Sequence, residues 1–174
     1  MSDVLNKMKS RRSIRKFKPD MVPQEILDQI IEAGLYAASG MGQQSPIIIQ
    51  VTKKELRDEI SKMNCEIGGW KEALTIYGAP AMLIVLAKKE RPTYVYDGSL
   101  VMGNLMLAAH ELGIGSCWIH RAKEEFESDW GRNLLRSLGV NGDYEGIGHC
   151  ALGYADGDYP AAPARNEAAY SMLN

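Results

Sequence analysis

Cysteine is scarce in this chain and is not arranged in pairs: Cys65, Cys117 and Cys150 form no C-x-x-C motif and leave an odd residue over. A disulfide framework and a zinc site are therefore not expected, and a reducing cytoplasm suits such a chain best. Long apolar runs are also missing. The longest mostly apolar segment, Leu100 to Leu112, contains Asn104, His110 and Glu111 and is too short to cross a bilayer. The first residues, Met1 to Lys7, have no apolar stretch of the secretory type, so attachment to a membrane is not expected. Nor does one sign of charge dominate. With 20 Lys and Arg against 22 Asp and Glu the formal net charge is −2, which leaves no general attraction to nucleic acid. Any basic cluster must act locally.

Familiar catalytic signatures are absent as well. There is no G-x-x-x-x-G-K-S/T, and no G-x-G-x-x-G follows a strand, so classical nucleotide binding loses support. A serine triad can be assembled on paper from Ser99 or Ser116, His110, His120 or His149, and Asp97, but no G-x-S-x-G elbow frames either serine. Cys150 directly follows His149 in a strand, where neighbours face opposite sides.

What is present is an ordinary globular composition, 174 residues with 45% hydrophobic content and nine Met, enough for a single domain over 1–174 with its own core. Val4, Leu5 and Met8 predict a short amphipathic helix over 3–10. Pro23 opens a helix to about Ala38, with Ile26, Leu27, Ile30, Ile31 and Leu35 at helical spacing. Ser39 to Pro46 breaks it, and 47–51 reads as a buried strand. Thr52 and Glu55 predict a capping box for a helix over Lys53–Met63. A further helix is expected around Glu66–Tyr77, followed by the central strand 81–87. Asp97 or Ser99 is expected to cap a helix that is apolar nearly all round, hence a buried spine. A short strand ends at Ile119. One helix is expected over 124–138, with Phe126, Trp130, Leu134 and Leu138 in register and Gly139 as its C-terminal cap. A strand over 146–154 leads into a tail, 155–174, which needs something to receive it, and a neighbouring subunit is the natural receiver. Strands interleaved with helices predict an α+β sandwich.

The segment Arg11-Arg12-Ser13-Ile14-Arg15-Lys16-Phe17 is the most informative stretch. If extended, it places Arg11, Ser13 and Arg15 on one side and Arg12, Ile14 and Lys16 on the other. Arginine forks with a hydroxyl between them suit phosphate oxygens; a solvated basic stretch is the plainer alternative.

Three segments at matching order and spacing resemble the FMN-dependent nitroreductase-like oxidoreductases. These are Arg11–Phe17, the stretch Ala37-Ala38-Ser39-Gly40-Met41-Gly42-Gln43-Gln44-Ser45-Pro46, and Asn104 through Ile119. The resemblance implies an α+β, nitroreductase-like α/β/α sandwich, its central sheet mostly antiparallel, in an intertwined homodimer. It implies FMN as cofactor and NADH or NADPH as electron donor. It further implies that Arg11, Arg12, Ser13 and Arg15 hold the FMN phosphate and ribityl chain, with Arg165 closing on the same phosphate. Ser39, Gly40, Met41 and Gln44 match a loop that reaches the flavin from the other subunit. Trp118, Ile119 and His120 match backbone positions beside the isoalloxazine ring near N5. Asn104 matches a family position too, although a buried Asn is more often a structural hydrogen-bonding partner; Lys71 is read as a solvated helix lysine. The chain departs from the family pattern at Gly42, where Asn is usual, and at Ser45-Pro46, where an aromatic residue normally follows. It also lacks the insertions that build substrate lids. The activity implied is hydride transfer from NAD(P)H through FMN to an electron-poor small molecule of nitroaromatic or quinone type, the alternative being a non-catalytic flavin carrier or redox-sensing module.

Overall fold

Residue patterns of period two in the strands and near 3.6 in the helices resolve into three layers. The computed structural model describes residues 3–70 and 76–166. Strands β1 (Ile47–Val51), β2 (Ala81–Lys88), β3 (Gly115–Ile119) and β4 (Tyr144–Gly153) form one sheet in the order β1-β2-β4-β3, with every neighbouring pair antiparallel. The helices are α1 (Asp3–Ser10), α2 (Gln24–Leu35), α3 (Lys54–Gly68), α4 (Tyr94–Glu111), α5 (Ala122–Glu127) and α6 (Asp129–Ser137). No helix among the described residues is long and apolar enough to cross a membrane.

β2 is buried on both faces, which is why its sequence is an unbroken apolar run and not an alternating one. Ala81, Leu83 and Val85 pack with Leu27 and Ile30 of α2 and Val101, Met102 and Leu105 of α4. Met82, Ile84 and Leu86 pack on the other side with Ile60 of α3, Phe126 of α5 and Leu135 of α6. Each fully buried aliphatic side chain contributes about 1.5–3 kcal/mol relative to exposure, so these two clusters carry most of the fold's stability.

The expected α+β sandwich with an antiparallel sheet is what forms, and several local expectations change. The capping box of Thr52 and Glu55 is not made: α3 begins at Lys54 with Lys53 as its cap, whose side chain caps nothing, and the Thr52 carbonyl accepts a bond from Arg57 Nε. The helix expected over 124–138 is two helices, because Ser128 takes an extended conformation, donates to the Glu125 carbonyl at 2.6 Å and accepts from the Gly131 N–H to cap α6. The rotation between the two pieces buries Leu135 and leaves Leu138 51% exposed. Thr93, and not Asp97 or Ser99, stands at the start of α4. That helix is also no buried spine: Met102 and Leu105 are in the core, but Tyr96 and Leu100 face outward. Instead of ending at Met63, α3 runs on to Gly68 and stops at Gly69 in left-handed backbone, so residues 66–68 of the helix expected around 66–77 belong to α3, while 76 and 77 lie in a turn; residues 71–75, Lys71 among them, and the end of the tail lie outside those described.

The Arg segment is fastened to the sheet by its two apolar members. Ile14 and Phe17 are buried with Cys117, Ile119 and Ala151, and the Ile14 N–H donates to the Ser116 carbonyl at 2.9 Å. Farther on, the Lys18 N–H donates to the Tyr154 carbonyl at 2.9 Å and the Asp156 N–H to the Lys16 carbonyl at 3.0 Å. The chain end after β4 and the chain start are thus zipped to each other.

Gly146 sits in β4 at the break in pairing between Val85 and Leu86, and a Cβ placed there would stand 2.2 Å from the Ala122 carbonyl oxygen. Main chain cannot yield as a side-chain tip does, so Gly146→Ala should lower stability by about 1–3 kcal/mol, as read from denaturant unfolding midpoints at unchanged slope.

Candidate functional site

The end of α1 and the extended segment after it line a cleft of about 780 Å³ together with the tail, its walls being Met8, Lys9, Arg11, Arg12, Ser13, Arg15, Pro160, Ala161, Ala162, Pro163 and Arg165. Five of the residues expected to bind cofactor are therefore brought together here, from opposite ends of the chain. Strict alternation does not hold: Arg12 shares the cleft with Arg11, Ser13 and Arg15, and of residues 11–15 Ile14 alone turns into the core. The reason is local, since the Arg11 N–H still bonds to the Lys7 carbonyl at 3.0 Å and the chain becomes extended only beyond it.

The arginines are not equivalent. Arg12 Nη1 donates to the carbonyls of Lys9 and Arg11 at 2.7 and 2.6 Å, which ties down the last turn of α1. Arg165 donates from Nε and Nη2 to the Pro163 carbonyl at 3.1 and 2.7 Å, a bend that sets it on the rim of the cleft. Arg11 Nη1 and Arg12 Nε are buried with no hydrogen-bond partner among the described residues. Buried cationic donors without acceptors are costly, and an anion with several acceptor oxygens is the group that fits them. The described residues contain no cluster of three metal-ligating side chains.

Just before the tail's wall of the cleft, the chain is held by a small aromatic clasp that no sequence pattern singles out. His110, at the end of α4, has its ring centroid 5.6 Å from that of Tyr159 and its Nε2 2.8 Å from Ser10 Oγ. This places the tail just before Pro160 and Pro163 against α1 and α4 of the same chain. Pro160 and Pro163 were the available signal, since restricted φ angles favour a tail held in one path.

Trp118 and His120 line a second hollow of about 370 Å³ with Val95, Ser99, Arg121, Lys123, Glu124, Glu145, Gly146 and Ile147. Their rings lie 6.2 Å apart. A Cβ on Gly148 would stand 2.2 Å from Trp118 Nε1, so only glycine leaves the indole its place. Ile119 points the other way, with 7% exposure in the cluster around Ile14 and Phe17, and is not among the residues lining this hollow. Within the hollow Lys123 Nζ pairs with Glu145 Oε2 at 3.2 Å.

The loop Ser39–Gln44 lies at neither hollow. Met41 is 86% exposed, and Met41 and Gln44 both adopt left-handed backbone, with φ of 53° and 49°. Such conformations cost a non-glycine residue about 1–2 kcal/mol and persist only where the surroundings impose them. Here the imposing contacts are the Gly40 N–H to Asp97 Oδ1 at 2.9 Å, with Asp97 Oδ2 held by Thr93 Oγ1 at 3.0 Å, and the Gln44 N–H to Ser39 Oγ at 2.9 Å. Asn104 is elsewhere again: its Nδ2 donates to the Ala33 carbonyl at 3.0 Å and it borders a groove of about 340 Å³ between α1, α2 and α4. In this chain it joins two helices.

Burial, then the charges of Lys7, Arg11 and Arg12, push the His110 pKa below its ordinary 6.5, against the opposing pull of Glu111. A lowered folded value means that the unfolded chain takes up the proton first. The stability associated with neutral His110 is therefore complete above 6.5 and is lost as pH falls through 6.5 towards the folded value. His110→Gln should flatten the fall in thermal midpoint between about pH 7 and about pH 5, measured by calorimetry on both proteins.

Comparison with known proteins bears on the fold and the family. The model of the nitroreductase family matches residues 8–154. A relative from Methanothermobacter thermautotrophicus, whose name pairs NADH dehydrogenase with NAD(P)H nitroreductase, is 32% identical over 120 residues, 67% of this chain and 60% of that protein. The FMN reductase (NAD(P)H) of Bacillus subtilis is 29% identical over 140 residues, 67% of this chain and 53% of that protein. This chain thus spans about three-fifths or less of the length of these two relatives. A crystal structure of a nitroreductase with bound FMN from Bacteroides fragilis covers 100% of both chains at a TM-score of 0.88 and 28% identity. With the family model spanning most of its length and the fold shared from end to end, this chain belongs to the nitroreductase family.

Proposed function

We propose that this chain is an FMN-dependent oxidoreductase that takes hydride from NADH or NADPH and passes it to an electron-poor small molecule of nitroaromatic or quinone type. The observation that carries this reading is the convergence of Arg11, Arg12, Ser13, Arg15 and Arg165 on one cleft, with buried guanidinium nitrogens still lacking acceptors. A phosphate monoester dianion supplies those acceptors. The second support lies along β3. Ser13 pairs with Ser116 near one end of that strand and His120 follows the other, a separation of about 13 Å at 3.3 Å per residue. That is the order of distance between the phosphate of a flavin mononucleotide and its ring.

Under this reading each residue has a task. Arg11 and Arg15 neutralise the phosphate, Ser13 adds a hydroxyl, Arg12 holds the end of α1 in place beside it, and Arg165 covers it from the tail. Trp118 and His120, with the main chain of Ile119, border the ring. When bound, FMN supplies the hydride chemistry; the protein binds, orients and shields, and needs no nucleophilic side chain. The bound FMN of the Bacteroides fragilis protein and the Bacillus subtilis relative's name both favour this reading. The competing reading is a flavin carrier without turnover, favoured by Gly42 and the missing lid insertions.

The same reading makes the protein a homodimer. Val4, Leu5 and Met8 of α1 and Tyr96 and Leu100 of α4 are exposed together with Leu35, Tyr36 and Met41. So many apolar side chains on α1, the end of α2 and the outer side of α4 point to a covered surface. The strained loop carrying Ser39, Gly40, Met41 and Gln44, and with it Asn104, then belongs to the site completed by a second copy.

Three experiments bear on this. The isolated protein should be yellow or become so with FMN, and anaerobic addition of NADH or NADPH should bleach it; a flavin that stays oxidised would identify the carrier instead. Replacing Arg11 and Arg15 together by Ala should weaken FMN about hundredfold, or ~3 kcal/mol. It should leave riboflavin binding and the thermal midpoint as they were, and equal loss of both flavins would reject the phosphate assignment. Leu100→Glu should convert a dimer to a monomer in sedimentation and release FMN with it.

A further inference from the structure

The corner between β3 and α5 rests on a polar cluster that the phosphate cleft does not explain. Asn64 of α3, Glu125 of α5 and His149 of β4 each have 0% exposure. Asn64 Nδ2 donates to Glu125 Oε1 at 3.0 Å and to the His120 carbonyl at 2.5 Å. Glu125 Oε2 lies 2.6 Å from His149 Nε2, a close electrostatic contact whose alignment falls short of a hydrogen bond. Around them are Ile84 and Ile119, the register neighbours of His149 in the sheet. Apolar side chains would fill such a place at no desolvation cost, whereas a buried carboxyl and imidazole are expensive even when paired. The layer packing alone gives no reason for them.

What the cluster does hold is one peptide group. The chain turns at Arg121 with φ 84° and ψ −1°, a left-handed conformation that an arginine does not choose unaided. The His120 carbonyl points inward to Asn64. Because the peptide is planar and trans, the Arg121 N–H must point the opposite way, towards the hollow bordered by Trp118, His120 and Arg121. That N–H makes no hydrogen bond among the described residues. The Arg121 side chain lies along the wall of the same hollow, its Nη1 paired with Glu124 at 3.1 Å.

We propose that Asn64, Glu125 and His149 are positioning residues, a buried polar strut that locks the His120–Arg121 peptide with its N–H presented to the bound ring. This rests on the reading above, in which that hollow receives the flavin. Asn64 is the contact to the peptide, Glu125 fixes the amide of Asn64, and His149 fixes Glu125 from the sheet. The strut acts on the ring end of the cofactor and not on the phosphate end, and this makes it separable from the arginines.

Asn64→Leu, close in size and without the donor, should raise the dissociation constants of FMN and riboflavin alike by about tenfold. It should move the visible bands of bound FMN towards those of free FMN and leave binding of inorganic phosphate as it was. Glu125→Gln, which keeps a partner for Asn64 but alters the contact to His149, should move the same bands in the same direction. General loosening of the fold would weaken phosphate binding as well and would not reproduce this pattern. Should Asn64→Leu fail to fold, the unaltered protein decides: its Arg121 amide resonance should shift on addition of FMN and stay put with phosphate alone. Parent-like flavin affinity and spectrum in Asn64→Leu, or an Arg121 amide indifferent to FMN, would overturn the proposal. An unaltered protein that binds neither flavin would overturn the functional reading first.

Discussion

Everything at the cleft depends on the seating of Ile14 and Phe17 beside β3 and β4. Arginines on a free terminus would be solvated, mobile and mutually repelled, and ordering each would cost about 2 kcal/mol of side-chain entropy. Two apolar anchors in the cluster with Cys117, Ile119 and Ala151, and main-chain bonds to Ser116 and Tyr154, meet that cost before any ligand arrives. Electrostatics then has a fixed frame. The same frame explains why a chain with almost balanced charge can still concentrate positive potential: the balance is global, and the five basic or hydroxyl groups are local.

The division of labour along β3 follows from the pleat. Successive residues of the strand face opposite sides, so Cys117 and Ile119 serve the anchor of the N-terminal segment while Trp118 is free to line the other hollow. Burial pushes the Cys117 thiol up despite Arg15, Ser13 and Arg11 nearby, which keeps it an inert packing group beside a cationic site. Burial also pushes up the thiol of Cys150. All three cysteines are buried, and Cys65 Sγ donates to the Trp70 carbonyl at 2.9 Å.

The sequence was most legible where one physical signal dominated. Uninterrupted apolar runs marked β1 and β2, and proline with a helical stripe marked the start of α2 within a residue. The Arg segment stood out as a candidate site because no fold requirement calls for that density of guanidinium, and four of its residues do share one cleft. Less legible were features set by partners distant in sequence. Thr52 has the residue type for a cap, but the helix starts too late for it. The break at Ser128 has a signal, a serine before an acidic residue, which the strong apolar register of Phe126, Trp130 and Leu134 obscured. The pairing of Asn64 with Glu125 and His149 has no local signature, because three elements supply one residue each and only the tertiary fold makes them neighbours. Likewise the clasp of His110 and Tyr159 joins residues whose proximity no spacing rule encodes.

The order of strands across the sheet has a bearing on how this protein is made. β4 lies between β2 and β3, so the edge that receives residues 11–17 is not in place until residue 153 has been added, and the far wall of the cleft waits for 160–165. A nascent chain emerging from the ribosome can bury α2 against α4 well before that point, yet its basic N-terminal stretch stays undocked until β4 is complete. The cleft thus takes shape only once residues 153–165 have been added, and a chain stopped before residue 160 would keep most of its core and lack that wall.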